Sequence, residues 1–485
     1  MSPVAFDAVV VGGGIAGLAA AYELSRRGVS FVVLEAGDRS GGVILSEEVD
    51  GFVIDAGPDA LLTQKAEGIR LCEELGLGDR LVVTKPPRIA FIQRNGRLHA
   101  LPAASILGIP TRVGPFLRTS LFSWPGKVRM GMELFVPPRW DDADESIGAF
   151  MQRRFGREAA EFLAEPLLAG IHAGDVDRLS MNSLFPRFVE AERNHGSLLR
   201  AFATPRRVAA PTSNRGRPAA HGSAPSQEGA FKSLPGGLSE LVRALVSSLG
   251  RARVRERVQV TAVAGAGPFE VETASGDTVR ARSVIFATPA YVTGALLRPR
   301  DAALADSCDA TPYASVATVA LPFERDGVAH ALNGSGFVVP RAEKTGILAT
   351  SWLSSKWPHR APENRVLLRT FIGGAREPEI LNRDDRDLVA LSLRALTPLL
   401  GVRRQPLFSR VYRWSRANAQ HEVGHLDRVA AIDRALARHP GLFVTGSGFR
   451  GIGIPDCIAD GRATARAVEQ WLQRTPAMES EAARR

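Results

Sequence analysis

The chain has 485 residues, of which 45% are hydrophobic and 23% charged, enough for two or three compact units with a sizeable core. Its formal net charge of +10 is spread along the chain, mainly as arginine, with no single Lys/Arg block. A nucleic-acid reader, which concentrates such charge in a patch or a known motif, is not expected. Cys72, Cys308 and Cys457 are far apart and lack CxxC or His/Cys pairing, so they read as buried thiols and no metal is expected.

The element around which the rest is organised comes first. Val9-Val10-Val11 ends in Gly12-Gly13-Gly14 and resumes as Ile15-Ala16-Gly17-Leu18-Ala19-Ala20-Ala21, the pattern of a strand, a tight turn and a helix. Gly12, Gly14 and Gly17 fit GxGxxG: the first permits the turn, the second lets a pyrophosphate approach the backbone, and the third lets the helix pack close. Free N–H groups at the helix start then hold phosphates. The second strand, Phe31-Val32-Val33-Leu34, ends at Glu35, at the distance of an acid that accepts hydrogen bonds from a ribose hydroxyl pair. A glycine-rich turn in an ordinary α/β core is the bland alternative, but it does not explain strand, helix, Gly28 turn, strand and acid in order. Arg39-Ser40-Gly41-Gly42 follow at once as a second anion-binding turn. A plain NAD site does not need one, so the cofactor expected is FAD.

Gly51 to Ala60 reads as a strand running into a Gly57-Pro58 turn, which in a flavin fold comes close to the isoalloxazine ring. A helix from Gly68 to Leu75 follows, then strands Arg88 to Gln93 and Arg97 to Leu101 around Asn95-Gly96, the strongest short hairpin signal. From Pro102 to about Phe202 the pattern is helical. Within it the apolar stretch Ile106 to Pro125, flanked by Arg112, Arg118, Lys127 and Arg129, reads first as a wall over an apolar cavity and second as a membrane-surface segment. Residues 203–230 are Ala, Pro, Ser, Gly and Arg with almost no large apolar side chains, a composition expected of a flexible surface insertion.

Order returns with a helix from Leu238 to Leu249 and short strands at Arg257 to Val260, Phe269 to Glu272 and Val284 to Ala287. Strands at Gly336 to Pro340, Gly346 to Ala349 and Val366 to Gly374 precede a helix from Asp384 to Leu400. Near the C-terminus, the strand Leu442 to Gly446 leads through Gly451-Ile452-Gly453-Ile454 to a helix opened by Pro455, a residue suited to the first helical turn. The positive end of that helix is expected to face the flavin and to stabilise the anion formed on hydride acceptance. Cys457 lies just inside this helix start, where no covalent flavin link is expected, so the FAD is non-covalent. No stretch approaches the roughly 20 apolar residues needed to span a bilayer. No signal-like segment precedes the first strand. The expected location is the cytoplasm, with peripheral contact at the inner face of the membrane as its limit.

Together these residues resemble the FAD-dependent porphyrinogen oxidases of haem biosynthesis. The resemblance rests on Gly12 to Gly17, Glu35, Arg39 to Gly42, Gly57-Pro58-Asp59, Glu165 to Asp175, Gly336 to Pro340, Thr370 to Gly374, Arg413-Trp414, Val423 to Val429 and Gly451 to Ile454. The early glycine motifs are shared with amine oxidases and carotenoid desaturases, and the middle and late ones are more specific. The resemblance implies an α/β fold: a discontinuous FAD-binding Rossmann-type domain with an inserted α+β substrate domain and a helical domain. The expected segments are FAD-binding 1–85, a substrate-domain hairpin 86–101, helical 102–202, insertion 203–230, FAD-binding 231–297, substrate 298–407, FAD-binding 408–475 and a tail 476–485. Carried over by position, FAD contacts fall to Gly12, Gly13, Gly14, Ile15, Ala16 and Gly17, then Glu35, Ala36, Arg39 and Gly42. Gly57, Pro58, Asp59, Ala60, Val258, Trp414, Ile452, Gly453 and Ile454 complete them. Substrate contacts fall to Gly170, Val338, Leu348 and Phe371, of which Leu348 and Phe371 would otherwise pass as core residues.

The implied reaction is a six-electron, oxygen-using oxidation of a porphyrinogen with release of hydrogen peroxide. Coproporphyrinogen III is favoured and protoporphyrinogen IX is the close second. No dedicated base is required and no catalytic residue is assigned, in keeping with the lack of a Ser/His/Asp arrangement, metal cluster or acid pair. The next haem-pathway enzyme is a candidate partner, and monomer and homodimer remain open. An amine oxidase, a carotenoid desaturase and a non-catalytic FAD-binding scaffold or redox sensor are the alternatives. The chain also departs from the family. Many relatives carry a carboxylate-binding arginine just before the strand near Phe91, where this chain has Ala90, with Arg88 two residues earlier as the candidate. Where relatives often have tyrosine it has His172 and His421, a pair that would add positive charge beside propionates on protonation if it faced the substrate.

Overall fold

The computed structural model describes residues 6–101, 105–106, 109–110, 113–169, 172–203 and 229–475. The expected insertion 203–230 and tail 476–485 lie outside these, apart from 203, 229 and 230. Two compact units emerge. Unit 1 comprises Met1–Val82, Lys232–Val316 and Tyr412–Arg485; unit 2 comprises Val83–Phe231 and Ala317–Val411.

The core of unit 1 is a sheet whose central strands are parallel and buried on both faces, which is why they read as unbroken Val/Ile/Leu/Phe runs. Val254–Arg255, Phe31–Leu34, Phe6–Val11, Thr278–Phe286 and Leu442–Val444 run parallel, and Phe269–Thr273 and Val260–Ala264 join Thr278–Phe286 as an antiparallel extension. The two-residue period sorts the side chains. Val10, Val33 and Ile285 pack under the helices Ile15–Arg26, Ser239–Leu249 and Ile454–Arg474, while Val9, Val11, Val32 and Phe286 pack under Ala290–Leu297, Ala302–Asp309 and His425–Leu436.

Several boundaries differ from expectation, among them the strand expected at Gly346 to Ala349, which spans Ala349–Trp352, and residues 83–85, 231 and 408–411, which belong to unit 2. Residues 298–316, expected in the substrate domain, belong to unit 1, because Leu304 and Cys308 of helix Ala302–Asp309 share a cluster with Val9 and Phe286. The strand expected at Arg257 to Val260 instead starts at Val260, and Arg257, with φ +59°, is a turn residue whose N–H donates to the Gly37 carbonyl at 2.8 Å.

In unit 2 the expected helical and substrate segments form one body. A mixed sheet runs from Arg365–Gly373 through Ala349–Trp352 and Gly336–Val338 to the hairpin Ala90–Arg94 and Arg97–Ala100. Asn95 and Gly96 both have positive φ, the type I′ geometry that Asn-Gly favours. Helices cover both faces of this sheet. Val338 and Ile92 pack on Phe150, Phe155 and Leu163 of the helical layer. Phe337 and Val339 point the other way, to Leu388, Leu391 and Leu396 of helix Asp385–Leu400. That helix is capped by the Asp384 side chain and ends at Gly401 with φ +60°.

The run expected to wall a cavity is split. Phe116, Leu121 and Phe122 are buried in the helical layer, but Trp124 is exposed and cannot line an interior wall. The Glu165 to Ala169 run is π-helical around Pro166, a wider turn that tolerates a residue with no N–H. No helix among the described residues is long and apolar enough to cross a membrane.

Candidate functional site

The glycine turn of unit 1 shows what each glycine is for. Gly12 has φ +107°, its N–H donates to the Leu34 carbonyl at 2.8 Å, and a Cβ there would lie 2.8 Å from the Ala287 oxygen. A Cβ on Gly17 would overlap the Gly12 carbonyl oxygen, so the helix can rest on the turn only without one. At Gly14 the situation reverses, since a Cβ would meet nothing within 4 Å. Gly14 is also the N-cap of helix Ile15–Arg26 and makes no side-chain cap bond. Open space over a helix start without a side-chain cap fits a bound phosphate.

Glu35 is fixed at the end of the second strand. Its Oε2 accepts the Gly13 N–H at 2.6 Å and its Oε1 the Gly37 N–H at 2.7 Å, and each oxygen keeps a lone pair for a further donor. Its backbone is held too: the Glu35 N–H donates to Arg255 O at 2.9 Å and its carbonyl accepts the Val258 N–H at 2.8 Å. Ala36 is exposed beside it. The second turn docks on the first, with the Gly41 N–H on the Gly13 carbonyl at 2.8 Å. A Cβ on Gly42 would lie 3.4 Å from the Gly14 Cα. Arg39 braces this turn from within, its Nη1 donating to Ile44 O at 3.0 Å and its Nη2 to Gly42 O at 2.7 Å.

Two further segments of unit 1 complete the cradle. A Cβ on Gly57 would overlap the Val43 carbonyl oxygen and lie 3.8 Å from the Trp414 ring, and Trp414 Nε1–H donates to Ala56 O at 3.1 Å. Pro58 and Ala60 are half-buried and Asp59 is buried, with its carbonyl accepting from Ser233 Oγ at 2.8 Å. The last helix, Ile454–Arg474, starts at Gly453, again with no side-chain cap bond, after half-buried Ile452. Gly461 presses on the Ala16 carbonyl with no room for a Cβ, and it lies about 10 Å along the helix from that start. Burial pushes the Cys457 thiol up to about 12, and its Sγ lies 3.0 Å from Gly451 O. Asp460, which the sequence reading missed, accepts from Thr445 Oγ1 at 2.7 Å and the Gly446 N–H at 2.9 Å. It sits 14 residues downstream of that glycine, a spacing with no local motif.

Unit 2 brings Val338, Leu348 and Phe371 together. The Val339 N–H donates to Leu348 O at 2.9 Å, the Leu348 N–H donates to Phe371 O at 2.7 Å, and Val338 and Phe371 both pair with Ala349 from opposite sides. All three side chains are half-buried. The Arg369 guanidinium lies 4.7 Å from the Phe371 ring centre. Ala173 O accepts the Ala375 N–H at 2.8 Å, which brings the His172 to Asp175 turn beside Leu348. Gly170 lies outside the described residues.

Arg88 is not brought to this group. It precedes Ala90, the partner of Gly336, so it lies about 13 Å along the strand direction from Val338, with its Nε on Thr84 O at 3.0 Å. The histidine pair is also divided. His172 is in unit 2, half-buried and edge-on to Phe185 at 6.4 Å. His421 is buried in unit 1, its ring stacked 3.6 Å from that of His425 and its Nε2 2.9 Å from Ser447 O. A propionate-facing charge cannot be assigned to His421, because its ring is already enclosed.

The model of the family described as flavin containing amine oxidoreductase matches residues 15–469. The chain belongs to that family. Among its relatives in this amine oxidoreductase family is coproporphyrinogen III oxidase of Bacillus subtilis (strain 168), 35% identical over 96% of this chain and 98% of that one. Protoporphyrinogen oxidase 1, chloroplastic, of Spinacia oleracea is 31% identical over 96% and 84%. A crystal structure from Exiguobacterium sp. 255-15, 30% identical, superposes with a TM-score of 0.84 over 97% of this chain and 100% of that one. The protein is therefore a flavin-dependent oxidoreductase. The open space over Gly14 at the start of helix Ile15–Arg26, with Glu35 fixed beside it, is the feature of unit 1 that suits the flavin cofactor.

Proposed function

We propose that the protein is an FAD-dependent porphyrinogen oxidase of haem biosynthesis. It converts coproporphyrinogen III to coproporphyrin III with three molecules of oxygen and releases three of hydrogen peroxide. Protoporphyrinogen IX is the competing substrate. The observation that carries this reading is the near full-length match to relatives named for these two reactions, with the coproporphyrinogen enzyme of Bacillus subtilis the more similar of the pair described.

Bound FAD supplies a two-electron acceptor that oxygen regenerates. The chain's part is to hold and orient. Gly12, Gly13, Gly14, Ile15, Ala16 and Gly17 offer backbone N–H groups and close approach to the diphosphate, while Arg39 keeps the Gly42 turn in place beside them. Glu35 would take the ribose hydroxyls, with Ala36 and Val258 as the further residues that would hold the adenosine. Gly57, Pro58, Asp59, Ala60, Trp414, Ile452, Gly453 and Ile454 would hold the ring system, where the helix start at Gly453 would favour negative charge. Cys457 is neutral and turned onto a carbonyl, which supports non-covalent binding. Val338, Leu348 and Phe371 form an apolar face for the tetrapyrrole, with Gly170 and Arg88 as further candidate contacts. Cytoplasmic operation accords with this assignment.

Anaerobic mixing of the yellow protein with coproporphyrinogen III, protoporphyrinogen IX and a polyamine tests the proposal. Bleaching by the porphyrinogens alone, faster with the first, is expected, and acid precipitation should leave the colour in the supernatant. Bleaching by the polyamine, or by nothing, would overturn it. A second expectation concerns Phe371→Ala. Loss of its ring should lower kcat/KM for the porphyrinogen about 10- to 100-fold, the scale of about 1–3 kcal/mol of apolar contact, with flavin content unchanged. Steady-state kinetics with an unchanged kcat/KM would remove Phe371 from the substrate face.

A further inference from the structure

Strand Leu442–Val444 closes one side of the parallel sheet of unit 1: it pairs with Thr278–Phe286, and no strand among the described residues lies on its other side. In a parallel pair, alternate residues turn their N–H and C=O toward the neighbouring strand. Here these are Gly441, Phe443 and Thr445, since Gly441 O accepts the Val284 N–H and the Thr445 N–H donates to Phe286 O, each at 2.9 Å. Leu442 and Val444 therefore turn theirs to the open side. At the foot of the strand the Leu442 N–H donates to His439 O at 3.1 Å, and at its head Val444 O accepts from Arg450 Nη1 at 3.2 Å. What remains is one acceptor, the Leu442 C=O, and one donor, the Val444 N–H, and no described residue supplies a partner for either. Both residues are buried, at 4% and 3% exposure, and an unpaired N–H at such a position is rare.

This edge lines a cleft of about 500 Å³, a volume within the range of small-molecule sites. The helices that cover the two faces of the sheet run past its edge and become the walls. Leu436, Ala437 and Pro440, at the end of helix His425–Leu436, form one wall, and Ala463, Ala467 and Trp471 of helix Ile454–Arg474 form the other. Alanine at three of these six positions leaves a slot that continues the plane of the sheet. None of the residues assigned above to the flavin or to the tetrapyrrole lines it.

We propose that this cleft binds a flat nitrogen heterocycle of the nucleobase class, held edge-on by the Leu442 C=O and the Val444 N–H. The two groups flank Phe443 and point the same way, so together they match a ring that carries an N–H donor beside an acceptor nitrogen, as the Watson–Crick edge of adenine does. A ring bonded in this way lies in the plane of the sheet, with its faces against the apolar walls and the Trp471 indole beside it. An added β-strand is the poorer occupant, because it needs a run of free backbone groups, and the His439 carbonyl and Arg450 close the edge to one acceptor and one donor. The inference stands on unit 1 alone and does not depend on the substrate assignment.

Equilibrium dialysis of the flavin-loaded full-length protein against adenosine tests it, the bound flavin keeping the Gly14 cradle filled. Saturable binding is expected, and purine riboside, which lacks the exocyclic N–H, should bind roughly tenfold more weakly because the Leu442 C=O then stays unpaired. Ala463→Phe places a ring in the slot from an exposed helix position and should weaken adenosine binding at least about tenfold, with flavin content and Tm unchanged. A second measurement reads the edge itself. In protein labelled with ¹⁵N-valine, the Val444 amide signal, identified by its absence in Val444→Ile, should shift on addition of adenosine, and its exchange with solvent should slow roughly tenfold or more. No saturable binding of adenosine, as expected if water alone fills the cleft, would overturn the proposal. So would equal affinity for purine riboside, unaltered affinity in Ala463→Phe, or an unmoved Val444 signal at saturation. A concentration-dependent dimer that protects the Val444 amide without adenosine would also overturn it, by assigning the edge to a second copy of the chain.

Discussion

Gly17→Ala is expected to purify as a colourless protein. The added methyl would overlap the Gly12 carbonyl oxygen, a backbone atom that cannot swing away, and would sit 3.0 Å from the Ala287 Cβ. Either the helix Ile15–Arg26 lifts from the turn or the turn opens, and both move the N–H groups that are to hold the diphosphate. Overpacking of this kind costs about 1–3 kcal/mol in stability, and displaced donors cost cofactor affinity in addition. The ratio of absorbance at 450 nm to that at 280 nm should fall to under about a tenth of the wild-type value, with Tm lowered by several degrees. Gly14→Ala makes the contrast. Its Cβ meets nothing within 4 Å and its φ is −68°, so the apoprotein should be as stable as the wild type or slightly more so. Only FAD affinity should drop, because the methyl occupies the space left over the helix start. A fully yellow, wild-type-like Gly17→Ala protein would contradict the packing argument. An unaltered FAD affinity in Gly14→Ala would show that the diphosphate does not approach there.

Glu133→Ala is expected to destabilise unit 2 by about 3–5 kcal/mol, because it removes the main charge partner of a buried guanidinium and leaves it only Glu192, 3.4 Å away and shared with Arg153. Glu133 and Arg154 are both fully buried and paired. Glu133 also accepts the Leu198 N–H at 2.9 Å at the start of helix Leu198–Ala203, and Arg154 donates to Val136 O and Gly196 O, each at 2.9 Å. The pair therefore ties three helical segments to one another. Urea unfolding followed by far-UV circular dichroism measures the loss. The double variant Glu133→Met, Arg154→Met should recover much of it, since replacing both charges by apolar groups of similar volume removes the desolvation cost along with the attraction. A loss under about 1 kcal/mol in Glu133→Ala would mean that Glu192 or water takes over as the partner of Arg154.

Short-range patterns carried most of what was legible. GxGxxG, the return strand ending in Glu35, the Asn95-Gly96 hairpin and the Pro455 helix start are set by neighbours within a turn or two, where φ, capping and periodicity act through the chain itself. The substrate trio was legible only through family resemblance. Val338, Leu348 and Phe371 look like any strand-associated residues until the sheet places them side by side.

What long-range packing decided could not be read from spacing. The Trp414 indole finds Ala56 across 358 residues, and Arg462 pairs with Glu74 across 388. Residues 298–316 looked like the opening of a new domain, but Leu304 and Cys308 are apolar side chains without a local partner and they joined the nearest large cluster. His421 drew attention as a substitution, yet burial and the stack on His425 enclose it. Trp124 read as a cavity wall because apolar residues are usually buried, and the fold instead turned its whole helical stripe outward. By itself the sequence determined the local elements and the cofactor turn, because backbone torsion and hydrogen bonding are fixed within a few residues. Which apolar face is covered and which polar group is enclosed was decided by the tertiary structure alone, because burial depends on segments hundreds of residues away.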